Sequence, residues 1–257
     1  MYKNIFTMVY LRLFASVLVL LSIPVGLRAQ EAMLSVKFRM YSVNGDIEGL
    51  RCVTAGGPVE AEVSGRRRSE PMQYYGPSQI VFFKPSEQIE GEPIKPFATA
   101  TLNANVRNPL LVFIRMQTSA DSSLSVGTPP YRIIVLPDAP LAFKDGGMKF
   151  INLTSKAIVM VGGQNDELKA SLTPGEVVSY QLSEDFRGNF PIKIATRSST
   201  GWQLLMDTRV FPTLQARDIY FISPIPNRKA GHQVRISNLR ERGDNAKIRL
   251  NLHTTHP

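Results

Sequence analysis

The sequence predicts an all-β protein, built as two β-sandwich domains in tandem behind an N-terminal export signal. Three observations lead there. Short runs of alternating apolar and polar residues recur from residue 33 onward. Eighteen glycines and eighteen prolines punctuate the chain between those runs. A strand-turn-strand pattern appears once in each half.

The alternating runs are Met33–Tyr41, Gln79–Phe83, Tyr131–Leu136 and Gly188–Ala195. A period of two residues puts one face of a strand on a core and the other toward water. No stretch of a dozen residues after the N-terminal region carries clean helical periodicity. Ala98–Val106 reads as a strand because of its two threonines.

The pattern that repeats starts at Phe38-Arg-Met-Tyr-Ser-Val-Asn44 and continues through Leu50-Arg-Cys-Val-Thr-Ala-Gly-Gly57. Its counterpart is Met148-Lys-Phe-Ile-Asn-Leu-Thr154 followed by Ile158-Val-Met-Val-Gly-Gly163. Further on, Glu70–Phe83 matches Gly175–Ile194, each with a tyrosine-bearing strand, a glycine turn and an apolar strand. Pro109–Ile114 then matches Asp218–Ser223. His232–Leu239 reads as a third copy of the opening strand, pairing with Ala246–Leu252 as a closing hairpin. A period of about 105–110 residues means duplicated domains and not a solenoid, whose repeats are far shorter. The expected layout is a signal at 1–29 and immunoglobulin-like sandwiches at 33–143 and 144–257, with the junction near Lys144–Gly147.

The N-terminus carries Lys3 and Arg12, then an apolar run from Leu13 to Val25, and no acidic residue before Glu31. That is the order of a secretory signal, with a run short for a bilayer span. Ala29 suits the position before a cleavage site; Leu27 suits the position two residues earlier poorly. An uncleaved anchor from Ile5 to Val25 would bury Arg12 in the membrane at a cost of a few kcal/mol. No other segment is apolar enough to span, so an exported periplasmic or extracellular protein is expected, with no stable membrane span once the signal is removed.

Cys52 is the only cysteine, which excludes an internal disulfide. The net charge of +9 falls to +6 when Lys3, Arg12 and Arg28 leave with the signal, 27 basic residues against 21 acidic. That mild excess argues against a nucleic-acid partner and suits an anionic polysaccharide or an envelope protein.

Residues 148–222 resemble small secreted bacterial β-sandwich domains, among them accessory proteins of periplasmic polysaccharide acetylation. The resemblance rests on Lys149–Thr154, Ile158–Val161, the Leu172-Thr-Pro-Gly175 turn and the strand ending at Tyr180. Residues 36–115 share the pattern more loosely. It implies an envelope-associated sandwich and carries over no catalytic residue.

No catalytic, cofactor or metal site emerges. His232, His253 and His256 have no ligand spacing, and two sit in the last five residues. No Gly-x-Ser-x-Gly elbow occurs. Glu87, Glu90 and Glu92 lie in a proline- and glycine-rich loop and read as solvated. The two Gly-Gly pairs read as positive-φ turns, not phosphate loops. Trp202 reads as a partly buried residue in a turn, and Asn152-Leu-Thr154 matches a glycosylation sequon inside a strand. Arg66-Arg67-Arg68 follows Gly65 in a turn.

The remaining feature is the basic C-terminal segment. Alternation places Arg235, Lys247 and Arg249 opposite Val234, Ile236, Ile248 and Leu250, so these cations form one outer, anion-binding face. A solubilising strand edge is the plainer reading of the same charges. The expected function is a non-enzymatic, exported, structural, envelope-associated or assembly protein. A binding module for anionic carbohydrate comes second and a secreted hydrolase third.

Overall fold

In the computed structural model, residues 33–116, 128–225 and 234–242 are described. They form sixteen β-strands and one turn of 3-10 helix at Pro85–Glu87. The strands are β1 (Leu34–Ser42), β2 (Ile47–Thr54), β3 (Gly57–Val63), β4 (Met72–Gly76), β5 (Gln79–Phe83), β6 (Ala98–Thr101), β7 (Leu110–Arg115) and β8 (Tyr131–Leu136). The second set is β9 (Gly147–Asn152), β10 (Ile158–Gly162), β11 (Leu168–Leu172), β12 (Val177–Gln181), β13 (Phe190–Ser198), β14 (Gly201–Val210), β15 (Ala216–Pro224) and β16 (Val234–Arg242). Among the described residues no helix is long and apolar enough to cross a membrane.

The sixteen strands make four four-stranded sheets with a β-sandwich-like arrangement. Two are wholly antiparallel, ordered β3-β2-β5-β6 and β11-β10-β13-β14. The other two are mixed, ordered β4-β1-β7-β8 and β12-β9-β15-β16. In each mixed sheet the central pair is parallel, β1 with β7 and β9 with β15. Adding eight to every strand number converts the first pair of sheets into the second.

The cores show why the sheets stack. Phe38 and Met40 of β1, Cys52 of β2, Phe82 of β5 and Phe113 of β7 share one core between the first antiparallel sheet and the first mixed sheet. Phe82 meets Phe113 edge-on at 5.1 Å. Phe150, Met160, Ile192, Ile194 and Tyr220 fill the corresponding core of the second pair, where Phe150 stacks on Tyr220 at 5.0 Å. A third core joins the two mixed sheets through Tyr41, Leu110, Val112, Leu136, Ile151, Ile219, Phe221 and Leu239. Tyr41 stacks on Phe221 across it, ring centroids 5.4 Å apart. The mixed sheets are therefore inner layers covered on both faces, as parallel strand pairs generally are. Uninterrupted apolar runs such as Leu110–Ile114 are what double coverage requires.

The sequence reading places Phe38 and Phe150 in equivalent strands, and likewise Cys52 and Met160. They lie on β1 and β9, and on β2 and β10, which hold the same places in their sheets. Cys52 pairs with Phe82 and Met160 with Ile194 in matching ladders. Gly57 and Gly163, the second glycine of each pair, have φ of 108° and 93°, conformations that favour glycine.

Two expectations change. The segment read as a third copy of the opening strand is β16, the antiparallel neighbour of β15, in the sheet position that β8 occupies in the first set. Its hairpin partner 246–252 lies outside the described residues, as do the signal at 1–29 and all three histidines. The outer face of β16 is also not all solvent. Val234 and Ile236 face the second core as expected, but Leu239, on the opposite side, enters the third core.

Candidate functional site

One end of the third core is charged instead of apolar. Arg39 comes from β1, Arg68 from the loop before β4, Asp138 from the connection after β8, Lys149 from β9, Arg217 from β15 and Glu241 from β16. Alternation explains the strand members: Arg39 sits two residues from Tyr41, Lys149 two from Ile151, Arg217 two from Ile219 and Glu241 two from Leu239, all on the same faces as those apolar neighbours.

Glu241 is the hub. Its Oε1 accepts from Arg39 Nη1 at 3.0 Å, and its Oε2 pairs with Arg68 Nη1 at 3.0 Å and with Arg217 Nη2. Arg68 Nη2 donates to Asp138 Oδ1 at 3.1 Å, and both of those side chains are only 5% exposed. Arg217 Nη1 donates to the carbonyls of Asp138 and Phe143, each at 3.1 Å. Lys149 Nζ donates to the Pro137 carbonyl and lies 4.3 Å from the centre of the Phe143 ring. Arg217 flanks the same ring at 5.5 Å. The connection at 137–146 is thus gripped by cations from both halves of the chain.

The electrostatics follow from burial. Burial works against ionisation of Glu241, but Arg68, Arg217 and Arg39 outweigh it and hold its carboxyl below the usual carboxylate range. Burial pushes the Lys149 ammonium down; Asp138 opposes that, and Arg217 and Arg68 reinforce it. Four cations share two carboxylates, so the cluster carries an excess of two positive charges. Arg68 Nε is buried without a hydrogen-bond partner among the described residues.

The cluster opens onto a cleft of about 900 Å³. Arg39, Arg217 and Glu241 form part of its wall, with Phe143, Pro71 and Pro140. Its rim carries Lys37, Lys144, Arg240 and Arg242, all exposed. Arg240 is committed elsewhere: its Nε and Nη2 hold Asp218 at 2.7 and 3.0 Å, and Nη2 also donates to the Phe211 carbonyl. Lys37, Lys144 and Arg242 make no ion pair with a described residue.

Of the cations expected to form an anion-binding face, Arg235 is exposed at the start of β16, its Nε donating to Ser223 Oγ at 3.2 Å. Lys247 and Arg249 lie outside the described residues. Glu87, Glu90 and Glu92 are exposed in the loop after β5. Trp202 is not a partly buried turn residue: it is the second residue of β14 and 66% exposed, opposite Arg197 on β13. Of the three consecutive arginines, Arg66 and Arg67 are exposed while Arg68 is locked in the cluster. Nothing local distinguishes Arg68 from its neighbours, and Lys149 lies in an ordinary strand sequence. The one available sign was the uninterrupted burial implied by Leu110–Ile114 and Ile219–Ser223.

Asn152 is fully buried. Its Nδ2 donates to the carbonyls of Lys156 and Leu172, and its Oδ1 accepts from the Thr154 backbone and hydroxyl. Its sequon is a structural turn. Among the described residues no group of three or more His, Cys, Asp or Glu side chains is arranged to hold a metal ion. No family model matches this chain, and no curated protein matches it.

Proposed function

We propose that this chain is an exported, non-enzymatic, envelope-associated structural or assembly module made of two immunoglobulin-like sandwiches in tandem. The observation that carries this reading is the third core. It joins the two strand sets face to face and seals one end with ion pairs that run through the connecting segment. A protein built this way holds two exposed outer sheets in fixed relation, which suits a scaffold or spacer. The strand-for-strand correspondence of the two sets supports duplication, and the N-terminal sequence supports export. Fractionation with N-terminal sequencing is the test. The expected product starts near Gln30 and co-fractionates with the periplasm, the envelope or the medium; a cytoplasmic product still starting at Met1 overturns the reading.

The second reading, a binding module for anionic carbohydrate, is favoured by the cationic cleft at the seam. Salt-sensitive retention of the protein on a polyuronate column supports it; passage at low salt removes it.

A further inference from the structure

We infer that the seam cleft is a binding site for an acidic oligosaccharide, whose carboxylates are held by Lys37, Lys144 and Arg242 at the rim, above a wall that Arg39 and Arg217 keep positive. The inference rests on the carbohydrate-binding reading and gives that reading a place other than Arg235, Lys247 and Arg249.

Four observations converge. The first is space: about 900 Å³ is within the range of sites that enclose ligands of a few hundred daltons or more. The second is charge. Six cations line the cleft, Lys37, Arg39, Lys144, Arg217, Arg240 and Arg242, against three acids, Asp138, Asp145 and Glu241, and Asp218 neutralises Arg240, which leaves an excess of two. The third is that this surplus continues inward. Behind the wall, Arg68 and Lys149 add two cations and no further carboxylate, and Arg68 and Arg217 are too buried for water to screen them fully. A buried cationic surplus is costly unless an anion compensates it. The fourth is availability. Glu241 and Asp218 already occupy Arg39, Arg217 and Arg240, so those guanidiniums are oriented in advance. Lys37, Lys144 and Arg242 are exposed and make no ion pair with a described residue.

The chemistry selects a carboxylated sugar over a compact anion. The rim cations project from β1, from the connection before β9 and from the end of β16, so they are separate points around an opening. A single phosphate would reach few of them, whereas a chain with a carboxylate on each residue matches several. Pro71 and Pro140, with the nearly buried Phe143, supply apolar wall between the charges, against which the carbon-bound hydrogens of sugar rings can pack.

Titration calorimetry of the full mature protein with a short oligogalacturonate, and with its methyl ester, tests this. Three charge-matched variants accompany the parent. One is Lys37→Ser/Lys144→Ser/Arg242→Ser at the cleft. The second is Lys169→Ser/Lys193→Ser/Arg197→Ser, all exposed on the β11-β10-β13-β14 sheet. The third is Arg235→Ser/Lys247→Ser/Arg249→Ser. The parent is expected to bind the acid form at one site, to lose affinity as salt rises, and to ignore the ester. The cleft variant should bind roughly tenfold or more weakly, and the other two within about threefold of the parent. Equal losses in all three variants would mean that net charge alone attracts the ligand, and a loss confined to either control would move the site; both overturn the placement. No binding by the parent, or equal binding of the ester, overturns the carbohydrate reading itself.

Discussion

Replacing Glu241 by Gln isolates the charged end of the seam. The amide is nearly the shape of the carboxylate, so packing is preserved while one negative charge shared by Arg39, Arg68 and Arg217 disappears. The cluster is left with four cations around Asp138 alone. Removing one partner of a buried ion pair costs about 3–5 kcal/mol, because the remaining charge stays buried and unpaired. Arg68 is 5% exposed and cannot regain water in place. Glu241 is 26% exposed and Arg39 39%, so their share of the loss is screened, and the expected cost falls to about 2–3 kcal/mol. For a domain of this size that lowers the melting temperature by about 5–10 °C.

The loss should also depend on pH. The folded carboxyl titrates below its unfolded value of about 4.3, so its stabilisation is fully present above that pH and is lost as pH falls through the lower folded value. Thermal and urea melts of parent and Glu241→Gln should therefore differ most above about pH 5 and converge as the pH drops below about 4. Glu62→Gln is the control. Its pair with Arg67 spans 3.9 Å between side chains more than three-quarters exposed, and its loss should be barely measurable. A Glu241→Gln protein that melts within about 1 °C of the parent at pH 7 would refute the view that this cluster is a coupled, poorly hydrated network.

Three other outcomes follow from the same structure. Cys52 is fully buried and its thiol is pushed up to about 12 by burial, so a disulfide-forming reagent at pH 8 should label it only as fast as the protein unfolds; prompt stoichiometric labelling of native protein would contradict this. Asn152→Asp should cost roughly 2–4 kcal/mol in urea melts, because a carboxylate cannot donate to the carbonyls of Lys156 and Leu172; an unchanged midpoint would show that the turn tolerates the loss. A fragment of residues 33–143 should bind a hydrophobic dye and associate, since it uncovers Tyr41, Leu110, Val112, Ile114 and Leu136 together, and a well-behaved monomer with sharp unfolding would show that the first sandwich needs no partner.

Particular residues show how far the sequence carried. Gln79–Phe83 and Tyr131–Leu136 were legible because period-two alternation is a local property. The correspondence of Phe38 with Phe150, and of Cys52 with Met160, was legible because the same turn spacing follows both. What did not show was the parallel pairing of β1 with β7 and of β9 with β15. Strands joined across some seventy residues leave no local mark of their partner. The run Leu110–Ile114 carries a sign of burial on both faces, because it is apolar without alternation. Once those faces are covered, charges that look solvated by type become buried by position. Arg68 and Lys149 are such charges, whereas Arg235, on an alternating strand, is an exposed cation at a strand end.

The seam poses a problem of specificity that its charges answer. Two apolar sheet faces of like construction could cover the corresponding faces of another copy as readily as each other. The short connection at 137–146 favours the partner on the same chain by raising its effective concentration. It also enters the contact. Asp138 binds Arg68 from the first strand set, and the Asp138 and Phe143 carbonyls bind Arg217 from the second. An apolar core tolerates sliding by small steps, whereas these donors and acceptors meet in one register only. Orientation alone, however, would be served by a neutral cluster. Two further anions near Lys149 and Arg39 would hold the same geometry with less electrostatic cost. The surplus of positive charge is therefore the part of the seam that stability does not explain, and two of its cations, Arg39 and Arg217, line the cleft.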